Sequence, residues 1–217
     1  MSANLIIRRP GRVEYQPTVD LMQQFTAERD SVAPDEIWLL EHPPVFTLGT
    51  NADPAHVIDA GDTPLVQTDR GGQVTWHGPG QLVAYLLLDI KRLSLTVKSL
   101  VHGMEAAIIA MLKEYGIEAR CRAGAPGVYV GEAKIASLGI RVRRGLTYHG
   151  LAINVCNDAD GFQGINPCGY DGLETVRIAD YCESVTTDEV ADKLLPHLLE
   201  ALKHKNSVTN EAGWPPL

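Results

Sequence analysis

The sequence is short of cysteine, of basic charge and of long apolar runs, and each shortage closes a class of function. Its four cysteines, Cys121, Cys156, Cys168 and Cys182, include no C-x-x-C pair, and none lies near a histidine pair with zinc-like spacing. Neither a disulfide framework nor a metal site is therefore expected. A formal net charge of -8 argues against nucleic acid as the main partner, because phosphate binding needs a basic stripe. The longest apolar run, Leu82 to Leu88, is far too short to span a bilayer, and Met1 to Arg9 holds no stretch of signal-peptide length. These features predict a cytoplasmic protein without a membrane partner. Neither the G-x-x-x-x-G-K-S/T phosphate loop nor the G-x-G-x-x-G dinucleotide fingerprint occurs, which removes the two commonest nucleotide-binding readings. With no linker, repeat or low-complexity segment, the 217 residues read as one domain, 1–217, with one sizeable core.

Periodicity predicts a mixed, largely antiparallel sheet flanked by helices. Leu5 to Ile7, Ile37 to Leu40, Val45 to Leu48 and Gln81 to Ile90 read as strands. A helix beginning near Pro17 carries Leu21, Met22 and Phe25 on one face. Apolar residues recur at three- and four-residue steps from Val97 to Leu112, with Thr96 as N-cap and Gly116 as the stop. From Val128 to Val155 the pattern is a meander, turning at Gly131-Glu132 and Arg144-Gly145. A last helix opens at Thr186-Thr187-Asp188-Glu189, and Pro196 is expected to kink or interrupt it. The tail beyond about residue 205 is expected to be mobile.

Two short segments carry chemistry. Cys168 lies between Pro167 and Gly169, residue types that favour a turn over a packed element, where an accessible nucleophile belongs. A free thiol, with a pKa of about 8.5, needs a nearby cation to become substantially thiolate at neutral pH. Lys134, in Gly131-Glu132-Ala133-Lys134-Ile135-Ala136-Ser137-Leu138-Gly139, is the candidate, although a lysine in an apolar strand can also simply snorkel to water. The stretch Arg70 to Gln81 holds four glycines and would let backbone N–H groups approach a ligand closely. Its Trp76 is either core or pocket wall, the pocket being favoured. His77 and His149 compete with Lys134 as the base, because cysteine–histidine pairing is common in nucleophilic catalysis. Two basic clusters, Arg8, Arg9 and Arg12 and then Arg141, Arg143 and Arg144, serve either as solvated strand ends or as a docking surface for an acidic partner.

Taken together, Arg-Gly-Gly-Gln-Val-Thr-Trp-His-Gly-Pro-Gly-Gln at 70–81, Gly-Glu-Ala-Lys-Ile-Ala-Ser-Leu-Gly at 131–139, Tyr-His-Gly-Leu-Ala-Ile-Asn-Val at 148–155 and Asn-Pro-Cys-Gly at 166–169 closely resemble the bacterial octanoyltransferases of lipoate biosynthesis. The resemblance implies the α/β fold of the biotin/lipoate protein ligases. It also implies transfer of an octanoyl group from acyl carrier protein to a lysine of lipoyl domains, those of 2-oxoacid dehydrogenases and the glycine cleavage H protein, without a cofactor. By the resemblance, Cys168 carries the acyl thioester and Lys134 lowers its pKa. The substrate-binding runs become Arg70, Gly71, Gly72, Gln73, Val74, Thr75, Trp76 and His77, then Ser137, Leu138 and Gly139, then Gly150, Leu151 and Ala152, with His149 in support. Gly71, Gly72, Gly78, Gly139 and Gly150 are expected to leave room for the acyl tail. An ATP-dependent lipoate–protein ligase of the same fold is the competing activity, and a catalytically silent binding protein the competitor from another class.

Overall fold

The apolar run at 82–88 is unbroken because both faces of its strand are covered. The computed structural model describes residues 4–166, 172–204 and 208–214. In chain order the elements are β1 (Leu5–Arg12), α1 (Tyr15–Glu28), β2 (Asp35–Glu41), β3 (Val45–Leu48), β4 (Leu65–Gln67), β5 (Val74–His77), β6 (Gln81–Leu87), α2 (Val97–Glu114), β7 (Arg120–Arg122), β8 (Ala125–Val130), β9 (Ala133–Arg143), β10 (Leu146–Asn154), α3 (Thr187–Ala201) and β11 (Val208–Ala212). Eight strands form one sheet in the order β11-β1-β2-β6-β10-β9-β8-β7, and β4-β3-β5 form a small second sheet. Only the β11–β1 and β1–β2 pairs of the large sheet run parallel, so the mixed, largely antiparallel reading holds.

Strand alternation sorts the core into two layers. Leu82, Ala84 and Leu86 join Ile37 and Leu39 against α2 and α3, while Val83, Tyr85 and Leu87 join Trp38 and Leu40 against α1. A third cluster, Phe46, Leu48, Val74, Trp76, Phe162 and Ile165, fills one face of the small sheet. Capping follows the sequence: Thr96 and Ser99 make a reciprocal capping box at α2, and the Thr186 hydroxyl accepts from the Glu189 N–H at α3. The meander turns where expected, with Gly131 at φ 57° and with Arg144 and Gly145 at φ 57° and 94°. Among the described residues no helix is long and apolar enough to cross a membrane.

At two places the structure shows what the local pattern does not. Helix α3 continues through Pro196 without interruption, because Pro196 and the residue one turn earlier, Asp192, both lie on its exposed face, where water replaces the lost helical hydrogen bond. The tail beyond 205 supplies β11, which pairs in parallel with β1 from Leu5↔Val208 to Arg9↔Ala212. Its sequence, Val-Thr-Asn-Glu-Ala, has no apolar face to betray it, and its anchor is the ion pair between Glu211 and the buried Arg8 at 2.6 Å. The N-terminal basic cluster is likewise used internally: Arg8 also pairs with Glu36, Arg9 with Asp192 and Arg12 with Glu41. Arg141, Arg143 and Arg144 are exposed.

Candidate active site

Strands β6, β9 and β10, the loop at 70–73 and the end of β5 enclose a cavity of about 470 Å³. Its lining draws on three of the four runs singled out in the sequence: Arg70 to Thr75 and His77, Ser137 to Gly139 with Lys134, and Gly150 to Ala152 with His149. The loop is held over β9 by the Gly71 N–H, which donates to the Ile140 carbonyl at 3.1 Å. Arg70 is buried and clamps the small sheet, donating to the Thr47 carbonyl at 2.7 Å and the Thr47 hydroxyl at 2.8 Å. The cation is thereby set in the cavity wall.

Lys134 reaches the cavity through an irregularity in the ladder. Tyr129 stands opposite Lys134 but Val128 stands opposite Ala136, so Ile135 is the extra residue of a bulge, a device that re-aims a side chain. The lysine is 2% exposed. Its ammonium donates to the Pro126 carbonyl at 3.1 Å and lies 5.1 Å from the centre of the Tyr129 ring. Its backbone pairs with residues 174–176: the Lys134 N–H donates to the Glu174 carbonyl at 2.8 Å and its own carbonyl accepts from Val176 at 3.0 Å. The expected nucleophile, Cys168, lies outside the described residues, as do Pro167 and Gly169. The chain before it is tied by the Asn166 N–H to the His56 carbonyl at 2.8 Å, and the chain after it is tied to Lys134 itself.

One member of the run at 70–77 faces elsewhere. Trp76 and His77 are neighbours on β5 and so point to opposite faces of the small sheet. Trp76 packs edge-on against Phe162 at 5.5 Å and belongs to the core, not to the cavity wall. The glycines need a second correction. A Cβ at Gly150 would lie 2.0 Å from the Ala84 carbonyl oxygen, one at Gly139 2.8 Å from the Gly71 oxygen, and one at Gly78 2.1 Å from the Trp76 ring. At these positions the missing side chain makes room for neighbouring protein rather than for a tail.

The end of the cavity away from Lys134 is polar. His149 stands opposite Ile140 in the β9–β10 ladder, six residues along β9 from Lys134, or about 20 Å at the usual strand rise of about 3.3 Å. It adopts φ 58° in mid-strand, and its Nε2 meets Asp69 at 3.0 Å. Asp69 also accepts from the Tyr148 hydroxyl, and its pKa is lowered to about 2, chiefly by the bond to His149 and against the effect of burial. Burial lowers the His149 pKa, so the neutral ring donates Nε2–H to the carboxylate. Its Nδ1 is then an acceptor, and it is buried without a partner among the described residues. His77, stacked on Tyr15 at 5.8 Å and bonded to Gln81 at 2.7 Å, has its pKa pushed down to about 3, by burial first and then by His42. His42 bridges the Val13 carbonyl and the Tyr85 hydroxyl, and burial pushes it down to about 4. Tyr15 lines the cavity, with its buried hydroxyl beside Thr47 and Thr68.

Sequence reasoning missed Tyr15, Tyr85, Val101, Met104 and Gly124 to Pro126, which all line this cavity. Tyr15 precedes the apolar stripe of α1, and Val101 and Met104 read as ordinary core positions of α2, so no local pattern marks them. Among the described residues no group of three or more His, Cys, Asp or Glu side chains could hold a metal ion.

Residues 14–199 match the lipoyl protein ligase A/B catalytic domain. The chain is 53% identical over 201 residues to the octanoyltransferase of Dechloromonas aromatica (strain RCB), covering 93% of this chain and 98% of that protein. It is 55% identical over 204 residues to the octanoyltransferase of Azoarcus sp. (strain BH72), covering 93% and 89%. Among solved structures, lipoate-protein ligase A bound with ATP superposes with a TM-score of 0.74 at 16% identity, covering 98% of this chain and 88% of that one. Biotin protein ligase from Aquifex aeolicus superposes with a TM-score of 0.52 at 14% identity, covering 92% and 69%. The structural likenesses establish the fold.

Proposed function

The chain belongs to the lipoyl protein ligase A/B catalytic family, and from that premise we propose that it moves an octanoyl group from the thioester of acyl carrier protein, through Cys168, to a lysine of a lipoyl domain. Its relatives at about half identity over most of their length are octanoyltransferases. The observation that carries the site reading is the cavity itself. It gathers Arg70 and the glycine loop, Lys134 with Ser137 to Gly139, and Gly150 to Ala152 from three separate stretches of chain.

The chemistry closes as a cycle. The resting pair is a Cys168 thiolate beside a Lys134 ammonium. The thiolate attacks the octanoyl thioester, and as the tetrahedral intermediate collapses the carrier thiolate leaves with a proton from Lys134. Lys134 is now neutral. The acceptor amine attacks the acyl-cysteine, gives its proton to Lys134 and expels the Cys168 thiolate, restoring the starting pair. A thioester exchanged for an amide runs downhill, so no nucleotide is required. The Leu138 N–H is the oxyanion donor we propose together with that of Cys168. In support, the Gly71 bond turns the Ile140 carbonyl to the edge of β9 away from β10, and two-residue alternation turns the Leu138 backbone the same way. An apolar slot suits the tail, at about 0.8 kcal/mol per buried CH2.

The competing ATP-dependent ligase activity would use the same fold. Intact-mass spectrometry after mixing with octanoyl-loaded carrier protein separates the two. Mass gain of one octanoyl group without nucleotide, discharged by a lipoyl domain, is the expected result. A strict need for ATP would overturn it.

A further inference from the structure

Glu105 lies on the apolar face of α2 beside Met104 and Ala107 and is 5% exposed. It does not line the cavity, yet it touches the group that holds Lys134. Its Oε1 accepts the Gly127 N–H at 3.1 Å. The Pro126 carbonyl, which belongs to the same peptide group, accepts from the Lys134 ammonium at 3.1 Å. In a trans peptide these two atoms point in opposite directions, so the peptide dipole lies between carboxylate and ammonium with its negative end on the ammonium. Hydrogen bonds joined in a chain polarise one another, and a buried site strengthens the effect.

Gly127 makes the arrangement possible. It adopts φ 139°, and a Cβ there would sit 2.7 Å from the Lys134 Cε and 3.0 Å from its Nζ. The lysine side chain therefore lies directly over the peptide that Glu105 grips. The Tyr129 ring is within cation–π reach of the ammonium. The other ionisable groups facing Glu105 are His102, with Nδ1 3.5 Å from Oε2, and the Cys121 thiol.

We infer that Glu105 is a positioning residue for Lys134: through the Pro126–Gly127 peptide it fixes the amino group and favours its ammonium form in the resting enzyme. The inference rests on the reading of Lys134 as the proton carrier and adds the residue that sets its charge. A carboxylate buried on an apolar helix face must be offset by the bonds it makes, and the bond to the Gly127 N–H is the one that leads to Lys134.

The test is an NMR titration of the full chain with carbon-labelled lysine, the Lys134 signal being assigned by its loss in Lys134→Met. Glu105→Gln keeps an oxygen for the Gly127 N–H and removes the charge. It should lower the Lys134 pKa by roughly half a unit to one unit, less than the one to three units of a direct ion pair, because a peptide intervenes. The alkaline limb of the acylation rate should move down with it. Glu105→Ala should also lose maximal rate, by about tenfold, because the Gly127 N–H is left buried without an acceptor. An unmoved Lys134 titration in folded Glu105→Gln would overturn the inference. If that variant folds poorly, Glu105→Asp withdraws the bond while keeping the charge, and an unmoved titration there counts equally against it. The titration does not depend on Cys168. A shifted Lys134 with no acyl group on Cys168 would refute the transfer cycle and leave the Glu105 coupling standing.

Discussion

The backbone N–H of Lys134 donates to the carbonyl of Glu174 at 2.8 Å, and this bond ties the proposed proton carrier to the chain that follows the proposed nucleophile. Glu174 is six residues beyond Cys168. The bulge in β9 frees the Lys134 backbone for that pairing, so a local irregularity joins two distant motifs.

Cys168→Ala should abolish both the acyl-enzyme and the product. Cys121→Ala, Cys156→Ala and Cys182→Ala should each keep turnover within about twofold, because none of these cysteines lines the cavity. Partial desolvation, with Glu105 beside Cys121 and Glu41 beside Cys156, also raises the pKa of these two exposed thiols, which leaves less thiolate at neutral pH. Intact mass and product formation measure both effects, and appreciable transfer by Cys168→Ala would end the covalent scheme.

Lys134→Arg keeps a cation but not one that deprotonates near neutral pH. Acylation should survive better than transfer, by about tenfold or more in single-turnover rates. Equal loss of both steps would assign the lysine to geometry or thiolate stabilisation alone.

Arg143 ends β9 and Arg144 opens the exposed turn after it, whereas Arg141 acts electrostatically on Asp69 and is best left in place. Reversing Arg143 and Arg144 to Glu should raise KM for an acidic carrier by about tenfold at low ionic strength, and the difference should shrink as salt screens it. A small octanoyl thioester should react as before. Equal loss with the small substrate would place these arginines in support of the cavity.

Acid stability should report the buried histidines. Unfolded, His42 and His77 take up protons near pH 6.5, whereas folded they resist to about 4 and about 3. Across that window the unfolded state binds more protons, so stability rises with pH and levels off above about pH 7. His149 acts in the same direction. Asp69, depressed to about 2, contributes fully above about pH 4 and weakens only below it. Urea unfolding from pH 4.5 to 8 should show a slope approaching at least two protons, reduced by about one in His42→Gln. A flat profile between pH 5 and 7 would mean that these rings are already charged in the fold.

Local pattern carried much of the architecture. Thr96 and Thr186 cap their helices, the turns fall at Gly131 and at Arg144-Gly145, and alternation marks the strands. Each of these depends on residues within a few positions of one another, which is the range over which capping, turn geometry and side-chain period act. The four motifs were legible in the same way, as ordered residue types pointing to one family.

Tertiary structure decided which way those motifs face. Trp76 and His77 are adjacent in sequence, yet the small sheet sends one into the core and the other into the cavity. Gly150 reads as room for a tail until β6 is seen to fill it with the Ala84 carbonyl. β11 is defined by its parallel ladder with β1, beside which Glu211 meets Arg8 across the chain. Glu105 reads as one polar residue in an apolar helix until the Pro126–Gly127 peptide is seen between it and Lys134. In every one of these cases the deciding partner is far away in sequence, and only folding brings it within hydrogen-bonding or van der Waals distance.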